Sequence, residues 1–419
     1  MLINNSVLLE KCVQYGTPMY VYDGDFLKSH YNCVRSQLNS AVDIFLSFKA
    51  NSNASIASLF RSWGTGIEVA SVGELKTALK VGYTPDNIIF SGPGKRENEL
   101  AYAIEQNIYC IIVESIQELE KIATLAFEKE KKVSIGVRIN PDSFKSGAKI
   151  KMGGVPRAFG IDESKIDEIF SFIATSNQLH FKGIHIYSGT QILQASSILD
   201  SFAYTINLAK EILEKFELTC EMINLGGGFG IPYFQNEKEL DFKEVANGLN
   251  LLIMENKKIF PRTRYILESG RYLLAESGAY LTGITYVKES KGEKFLVTDG
   301  GLHHHQAVTF RGRVIRNNYP MSLLKKSGEL KGSETVSVVG PLCTPEDLIG
   351  RNVQLPVAEK GDVLCIQKSG AYGLSYSPCH FLGHPTPMEL LFLEGRELII
   401  REKGEPEDLL LRQNIQLFE

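Results

Sequence analysis

The sequence predicts a mixed α/β chain: a (β/α)8 TIM barrel, followed by a β-barrel or sandwich domain. Two observations carry this expectation. From about residue 40 to 270, short apolar runs alternate with amphipathic segments of helical period, and eight such runs fit one closed barrel better than an open sheet. Beyond Arg271 the texture changes to short strand-like runs separated by glycine, proline and charged turns, which reads as all-β.

The elements follow in order. Pro18-Met19-Tyr20-Val21-Tyr22 is strand-like and is assigned to the β domain, although it precedes the barrel. Barrel strands are expected at 44–48, 67–70, 87–91, 110–114, 133–140, 181–186, 222–225 and 265–268. The helical period is plainest at 56–63, 72–79 and 208–216. Strands of the β domain are expected at 278–287, 294–298, 335–339 and 361–365, and 402–408 reads as a charged, mobile tail. The domain division is 24–272 for the barrel and 1–23 with 273–419 for the β domain.

Bulk properties exclude several classes. A chain of 419 residues is long enough for two ordinary cores. Hydrophobic content of 43% and charged content of 22% are those of a soluble globular protein. A net charge of −4 points away from nucleic acid. The first residues lack an apolar core behind a basic head, so no signal peptide is expected. No run reaches the roughly 18 apolar residues of a membrane span. Seven cysteines without a CxxC pair suggest a reducing, cytoplasmic setting with neither disulfides nor zinc. His303-His304-His305 would alternate faces on a strand, so no metal site is expected there.

The chemistry begins at Lys49, which closes the apolar run Ile44-Phe45-Leu46-Ser47-Phe48. An unpaired ammonium is costly to bury. A desolvated lysine is easily deprotonated and forms Schiff bases. A snorkelling side chain, or an ion pair with Glu68, is the plainer alternative. Further segments follow: Gly226-Gly227-Gly228-Phe229-Gly230, Glu268-Ser269-Gly270-Arg271, Cys343-Thr344-Pro345-Glu346-Asp347 and Gly370-Ala371-Tyr372. Lys49, Glu68, His185, the three glycines and Glu268 fall at or near the carboxyl ends of the expected strands, where barrel active sites lie.

In this order, these motifs resemble the fold type III pyridoxal-phosphate decarboxylases, which include diaminopimelate and ornithine decarboxylases. The likeness runs over nearly the whole chain. It implies that Lys49 holds the cofactor covalently and that Glu268 pairs with the pyridine nitrogen. Gly226, Gly227, Gly228, Gly270, Arg271 and Tyr372 are implied to surround the phosphate, the glycines by letting N–H groups approach without a Cβ. Cys343 is implied to protonate the carbanion, and Asp347 to lie near the substrate. The Cys343 segment is implied to come from the second subunit of a homodimer with shared sites.

Two departures matter. Where the family carries a His-Ile-Gly-Ser-Gln type motif, this chain has His185-Ile186-Tyr187-Ser188-Gly189-Thr190-Gln191. Tyr187 takes the ring-stacking position by register, His185 lies two residues earlier on the same strand face, and Thr190 matches a phosphate-binding serine. Either ring is a candidate for the stack. Second, the glutamate that follows the cysteine in many diaminopimelate decarboxylases is replaced by Thr344-Pro345. Without it a distal amine would lack a partner unless Glu346 supplied one.

Stretches such as Phe90-Ser91-Gly92-Pro93-Gly94-Lys95 and Lys151-Met152-Gly153-Gly154-Val155-Pro156-Arg157 resemble the branch that decarboxylates carrier-bound glutamate in butirosin biosynthesis. Asp299-Gly300-Gly301-Leu302 and the histidines after it resemble exosortase-associated decarboxylases. The expected substrate is therefore an L-glutamyl thioester on an acyl-carrier protein. Lys145, Lys149, Lys151 and Arg157 are candidates for a basic rim, and Arg311, Arg313 and Arg316 for binding the substrate carboxylate. Free diaminopimelate, lysine or ornithine is the alternative. A racemase would need a second base where Cys343 stands, and a non-catalytic homologue would have no use for Lys49, Glu268, Arg271 and Cys343 together.

Overall fold

The computed structural model describes residues 3–142, 150–151, 156–234, 236–311, 317–326 and 329–418. It resolves into two compact units, Tyr31–Pro232 with Asn236–Tyr272, and Met1–His30 with Tyr233–Gln235 and Leu273–Glu419. The chain runs through helix α1 (Asn5–Tyr15), strand β1 (Met19–Asp23) and helix α2 (Gly24–Gln37) before the barrel strands begin.

Eight strands form the barrel: β2 (Val42–Ser47), β3 (Gly66–Val69), β4 (Ile88–Phe90), β5 (Cys110–Val113), β6 (Val133–Asn140), β7 (Leu179–His185), β8 (Met222–Asn224) and β9 (Arg264–Ser269). Each pairs in parallel with its neighbours, and β9 returns to β2 with Leu267 opposite Ile44, which closes the ring. Parallel strands buried on both faces read as continuous apolar runs. β3, β4, β5 and β8 are buried at every position.

Phe45, Ile89, Cys110, Ile112, Met222 and Ile266 pack together in one core. Phe45 dictates Gly66, where a Cβ would fall 2.4 Å from its ring. Burying such a phenylalanine stabilises by about 1.5–3 kcal/mol.

The intervening helices start where the sequence offers a cap. Asn53 accepts from Ser55 N–H to open α3 (Ala54–Ser62), and Ser71 accepts from Glu74 N–H to open α4 (Val72–Lys80). Ser115 accepts from Glu118 N–H to open α6 (Ile116–Glu128), after α5 (Glu97–Glu105). Each such cap contributes about 1 kcal/mol. Helix α6 buries Leu119, Ile122, Leu125 and Ala126, a stripe of helical spacing. Helices α7 (Ile166–Thr175), α8 (Ala195–Phe216) and α9 (Phe242–Asn256) complete the alternation.

The second unit opens with the short helix α10 (Arg271–Leu274), whose last two residues belong to it. It is built on the 13-residue strand β10 (Gly278–Ser290). The first half of β10 pairs antiparallel with β1, and its second half, past an irregularity between Ile284 and Tyr286, pairs with β11 (Glu293–Thr298). Further strands are β12 (Met321–Leu324), β13 (Glu334–Val339), β14 (Leu348–Leu355), β15 (Val363–Ile366), β16 (Met388–Leu393) and β17 (Arg396–Arg401). β1 lies between β10 and β16, parallel to the latter. Leu8, Met19, Val21, Ala279, Leu281 and Leu390 form the core beneath α1.

Strands β12, β14, β16 and β17 were not expected from the sequence. Nor is 402–408 a loose tail: Gly404 N–H donates to Thr386 O at 2.9 Å and Glu405 N–H to Asp408 Oδ2 at 3.0 Å, leading into a 3-10 turn at Pro406–Leu410.

Candidate active site

Strand β2 stops at Ser47, and Phe48–Ala50 make one 3-10 turn that buries Phe48 and Ala50. Lys49 lies in that turn, beyond the strand, with 47% of its side chain exposed. Its Nζ donates to both oxygens of Glu68, at 3.0 and 3.1 Å. The ladder explains the meeting, since Ser47 is opposite Glu68 in register. In place of an unpaired, desolvated amine, the structure shows a paired one: Lys49 Nζ meets the buried Glu68 carboxylate, on a side chain that is about half exposed. Gly270 closes against this turn, where a Cβ would lie 2.6 Å from the Ala50 methyl.

Across the barrel mouth, register sets Arg138, His185 and Asn224 side by side on β6, β7 and β8. Asn224 donates to Glu268 Oε1 at 2.7 Å, which fixes that buried carboxylate. Its Oε2 lies 3.7 Å from His185 Nε2, too long for a hydrogen bond. Burial, reinforced by the Arg138 charge, pushes the imidazole down to about 3, so this is not an ion pair near neutral pH. Neither ring nitrogen of His185 has a hydrogen-bond partner among the described residues.

The glycine tract follows β8. Gly226 and Gly228 have φ of +64° and +89°, and a Cβ on Gly227 would sit 1.8 Å from Glu268 O. The barrel's own backbone therefore requires these glycines, whatever approaches them from outside. Among the described residues, no acceptor meets the N–H of Gly227 or Gly228. Arg271 begins α10 directly after Gly270. Tyr187 lies against Gly226, where a Cβ would be 3.0 Å from its ring. Thr190 pairs with Ile150 in a two-residue ladder beyond β7.

Three residues here escaped the sequence reading. Glu114 receives Arg138 Nη1 on both oxygens at 3.1 Å, and accepts from Gly92 N–H at 2.7 Å and Gly160 N–H at 3.1 Å. Burial raises this carboxyl, but Arg138, Lys95 and the Gly92 N–H outweigh it and hold it below its ordinary range. Asn224 is the third. For Glu114 and Arg138 the sequence offered only a charge in or beside an apolar run, without its partner, and Asn224, uncharged, offered none.

Within the β unit the motif residues do other work. Asp347 is buried and accepts from Leu302 N–H at 2.6 Å and Leu342 N–H at 2.8 Å. A Cβ on Gly301 or Gly340 would collide with its carboxylate. Asp347 therefore staples two turns. Cys343 is exposed on the turn so formed. Arg311 is half exposed and pairs with Glu346 at 3.5 Å, while Arg313 and Arg316 lie outside the described residues. Tyr372 has φ of +55°, with its ring 6.2 Å edge-on from that of Tyr376. His303, His304 and His305 are buried in a turn, not a strand.

A family model described as the pyridoxal-dependent decarboxylase, pyridoxal binding domain, matches residues 25–275. The chain belongs to the pyridoxal-dependent decarboxylases. It is 48% identical to the L-glutamyl-[BtrI acyl-carrier protein] decarboxylase of Niallia circulans, over 96% of this chain and 94% of that one. It is 31% identical to the 2-[(L-alanin-3-ylcarbamoyl)methyl]-2-hydroxybutanedioate decarboxylase of Staphylococcus aureus, over 90% of this chain and 94% of that one. The diaminopimelate decarboxylase of Helicobacter pylori complexed with L-lysine superposes with a TM-score of 0.86 at 30% identity, covering 97% and 98% of the two chains.

This enzyme is thus a carboxy-lyase that uses pyridoxal 5′-phosphate. The mouth fits that group chemically. It offers a primary amine, a buried carboxylate for a ring nitrogen, an uncharged buried imidazole and two N–H groups that lack acceptors among the described residues. Among those residues no helix is long and apolar enough to cross a membrane.

Proposed function

We propose that this decarboxylase acts at the α-carbon of an L-glutamyl thioester carried by an acyl-carrier protein and gives the 4-aminobutyryl thioester. The 48% identity to the Niallia circulans enzyme, over 96% of the chain, carries this reading. Thr344-Pro345 after Cys343 agrees with it, since a neutral distal thioester needs no carboxylate partner.

In this reading Lys49 binds the cofactor through Nζ, and Glu68 accepts that ammonium's hydrogen bonds whenever the amine is released. Glu268, fixed by Asn224, faces the pyridine nitrogen. His185 or Tyr187 lies against the ring. Gly226, Gly227, Gly228, Thr190, Gly270, Arg271 and Tyr372 surround the phosphate, with Arg271 giving charge-assisted bonds. Pyridoxal phosphate, when bound, takes up the electron pair left as carbon dioxide departs. The C–C bond to the carboxylate breaks, and Cys343 Sγ–H delivers a proton to the α-carbon. Family likeness implies that Cys343 of one subunit serves the barrel of another in a homodimer. Arg311 and Arg313 are candidates for the substrate carboxylate, and Lys145, Lys149, Lys151 and Arg157 for an acidic carrier.

A carbon dioxide release assay tests the substrate. Glutamyl thioester on the carrier is expected to turn over, while free diaminopimelate, lysine and ornithine are not. Rapid turnover of free diaminopimelate with none of the thioester would place the enzyme in the other branch. Lys149→Glu with Lys151→Glu is expected to raise KM for the carrier substrate and leave a small thioester mimic unaffected.

A further inference from the structure

The Arg138 guanidinium has an unusual setting for a residue outside the motif set. It sits on β6, directly across the ladder from His185 on β7. It is held from below by Glu114, whose carboxylate is itself pinned by two backbone N–H groups. Its carbon lies 5.0 Å from the centre of the Phe159 ring and 5.9 Å from that of Tyr187.

Behind it stands a second pair. Lys95 is 1% exposed, donates to Ile112 O at 2.8 Å and approaches Glu118 at 2.7 Å. Glu118 Oε2 in turn accepts from Glu114 N–H at 2.8 Å. The strand ends that present Glu114 and Arg138 are thus tied to a buried, paired base.

Glu114 takes Arg138 Nη1 on both oxygens and compensates its charge. What remains is its flat face, which suits an aromatic neighbour. Of its two aromatic neighbours, Phe159 is the nearer and Tyr187 is the ring that lies against Gly226.

We propose that Arg138 is a positioning residue: clamped by Glu114, it fixes the ring of Tyr187 over the Gly226 turn and so sets one wall of the cofactor site. The inference rests on the reading that Gly226–Gly228 and His185 face the cofactor. It does not depend on which amino acid is decarboxylated. Breaking a buried pair leaves a charge uncompensated, whereas removing both partners does not. The test therefore uses the neutral pair Glu114→Gln with Arg138→Met, alone and combined with Tyr187→Ala.

Two readouts apply: pyridoxal phosphate affinity, from the visible absorbance of the loaded protein without substrate, and the melting temperature without cofactor. The neutral pair is expected to weaken cofactor affinity on the order of tenfold, and adding Tyr187→Ala is expected to cost little more, since residues acting through one contact are not additive. Wild-type affinity in the neutral pair, or a full additional loss on adding Tyr187→Ala, overturns the proposal. If the neutral pair does not fold, Arg138→Lys decides. It keeps the charge beside Glu114 and loses the flat face, so the proposal requires the same weakened affinity, and wild-type affinity overturns it. No cofactor uptake by the wild-type protein would instead overturn the site reading, and an unexpected substrate would leave these readouts unchanged.

Discussion

The barrel mouth and the turns of the β unit are equally rich in motif residues, yet they differ in what those residues do with their polar groups. In the β unit the groups are mostly spent internally. Asp347 accepts from two backbone N–H groups, Asp299 accepts from Thr282 Oγ1 at 2.7 Å and Gly283 N–H at 2.9 Å, and His304 Nε2 meets Pro385 O at 2.8 Å. His303 is one exception: it is buried without a hydrogen-bond partner among the described residues, its ring 3.7 Å from that of His304. At the mouth, His185 and the N–H groups of Gly227 and Gly228 have no such partners among the described residues. Buried polar groups are normally satisfied. A cluster of unsatisfied ones distinguishes a surface prepared for a ligand from a turn prepared for itself, and motif density alone does not.

The comparison predicts variants of opposite character. Lys49→Ala should abolish turnover and the visible absorbance of the loaded protein while the melting temperature without cofactor stays near wild type. A retained visible band would remove Lys49 from its role. Cys343→Ala should lower steady-state turnover by about 10²–10⁴-fold, the usual worth of a general acid, with cofactor affinity unchanged. Unchanged turnover would mean that another group delivers the proton. Mixing Lys49→Ala with Cys343→Ala should restore part of the activity if sites are shared across a dimer.

Asp347→Ala should behave the other way. Two buried N–H groups lose their acceptor, so stability should fall by about 1–3 kcal/mol in urea unfolding, and the folded fraction should still take up cofactor. A raised KM at unchanged stability would return Asp347 to the substrate.

The smallest effect concerns pH. His185 and His304 are both held down by burial, to about 3 and about 4. The unfolded chain binds protons there that the folded chain refuses, so stability increases with pH in this window. The contribution of each is complete above about pH 6.5 and drains as pH falls toward its depressed value. Between pH 7 and 5 the loss should be about 1–2 kcal/mol per histidine, read from urea midpoints without cofactor. His185→Asn and His304→Asn should each remove one share of that slope. If saturating cofactor flattens the His185 share and leaves the His304 share, the contrast between mouth and turn is sharpened.

Much of the barrel was legible because its strands are buried on both faces and write themselves as apolar runs. Strands of the β unit were harder. β14 carries Gly350, Arg351 and Asn352 mid-strand, and β17 has only the three aliphatics Leu398-Ile399-Ile400 between charged residues, so neither shows a long apolar run. At the site, Lys49, Glu268 and the glycines stood out by residue type and position. Glu114 and Arg138 did not, because their pairing joins different strands and only register reveals it. The two amides that Asp347 accepts from were not legible, because a carboxylate that caps backbone amides and one that meets a ligand look the same in a sequence.

The connectivity of β1 has a consequence for how the chain is made. Both strands that hydrogen-bond to it, β10 and β16, lie beyond residue 277. A nascent chain emerging in order completes its eight-stranded ring with β9 while β1 still waits for its partners. Met19 and Val21, fully buried in the finished protein, stay open to solvent or to a chaperone for the whole of that interval.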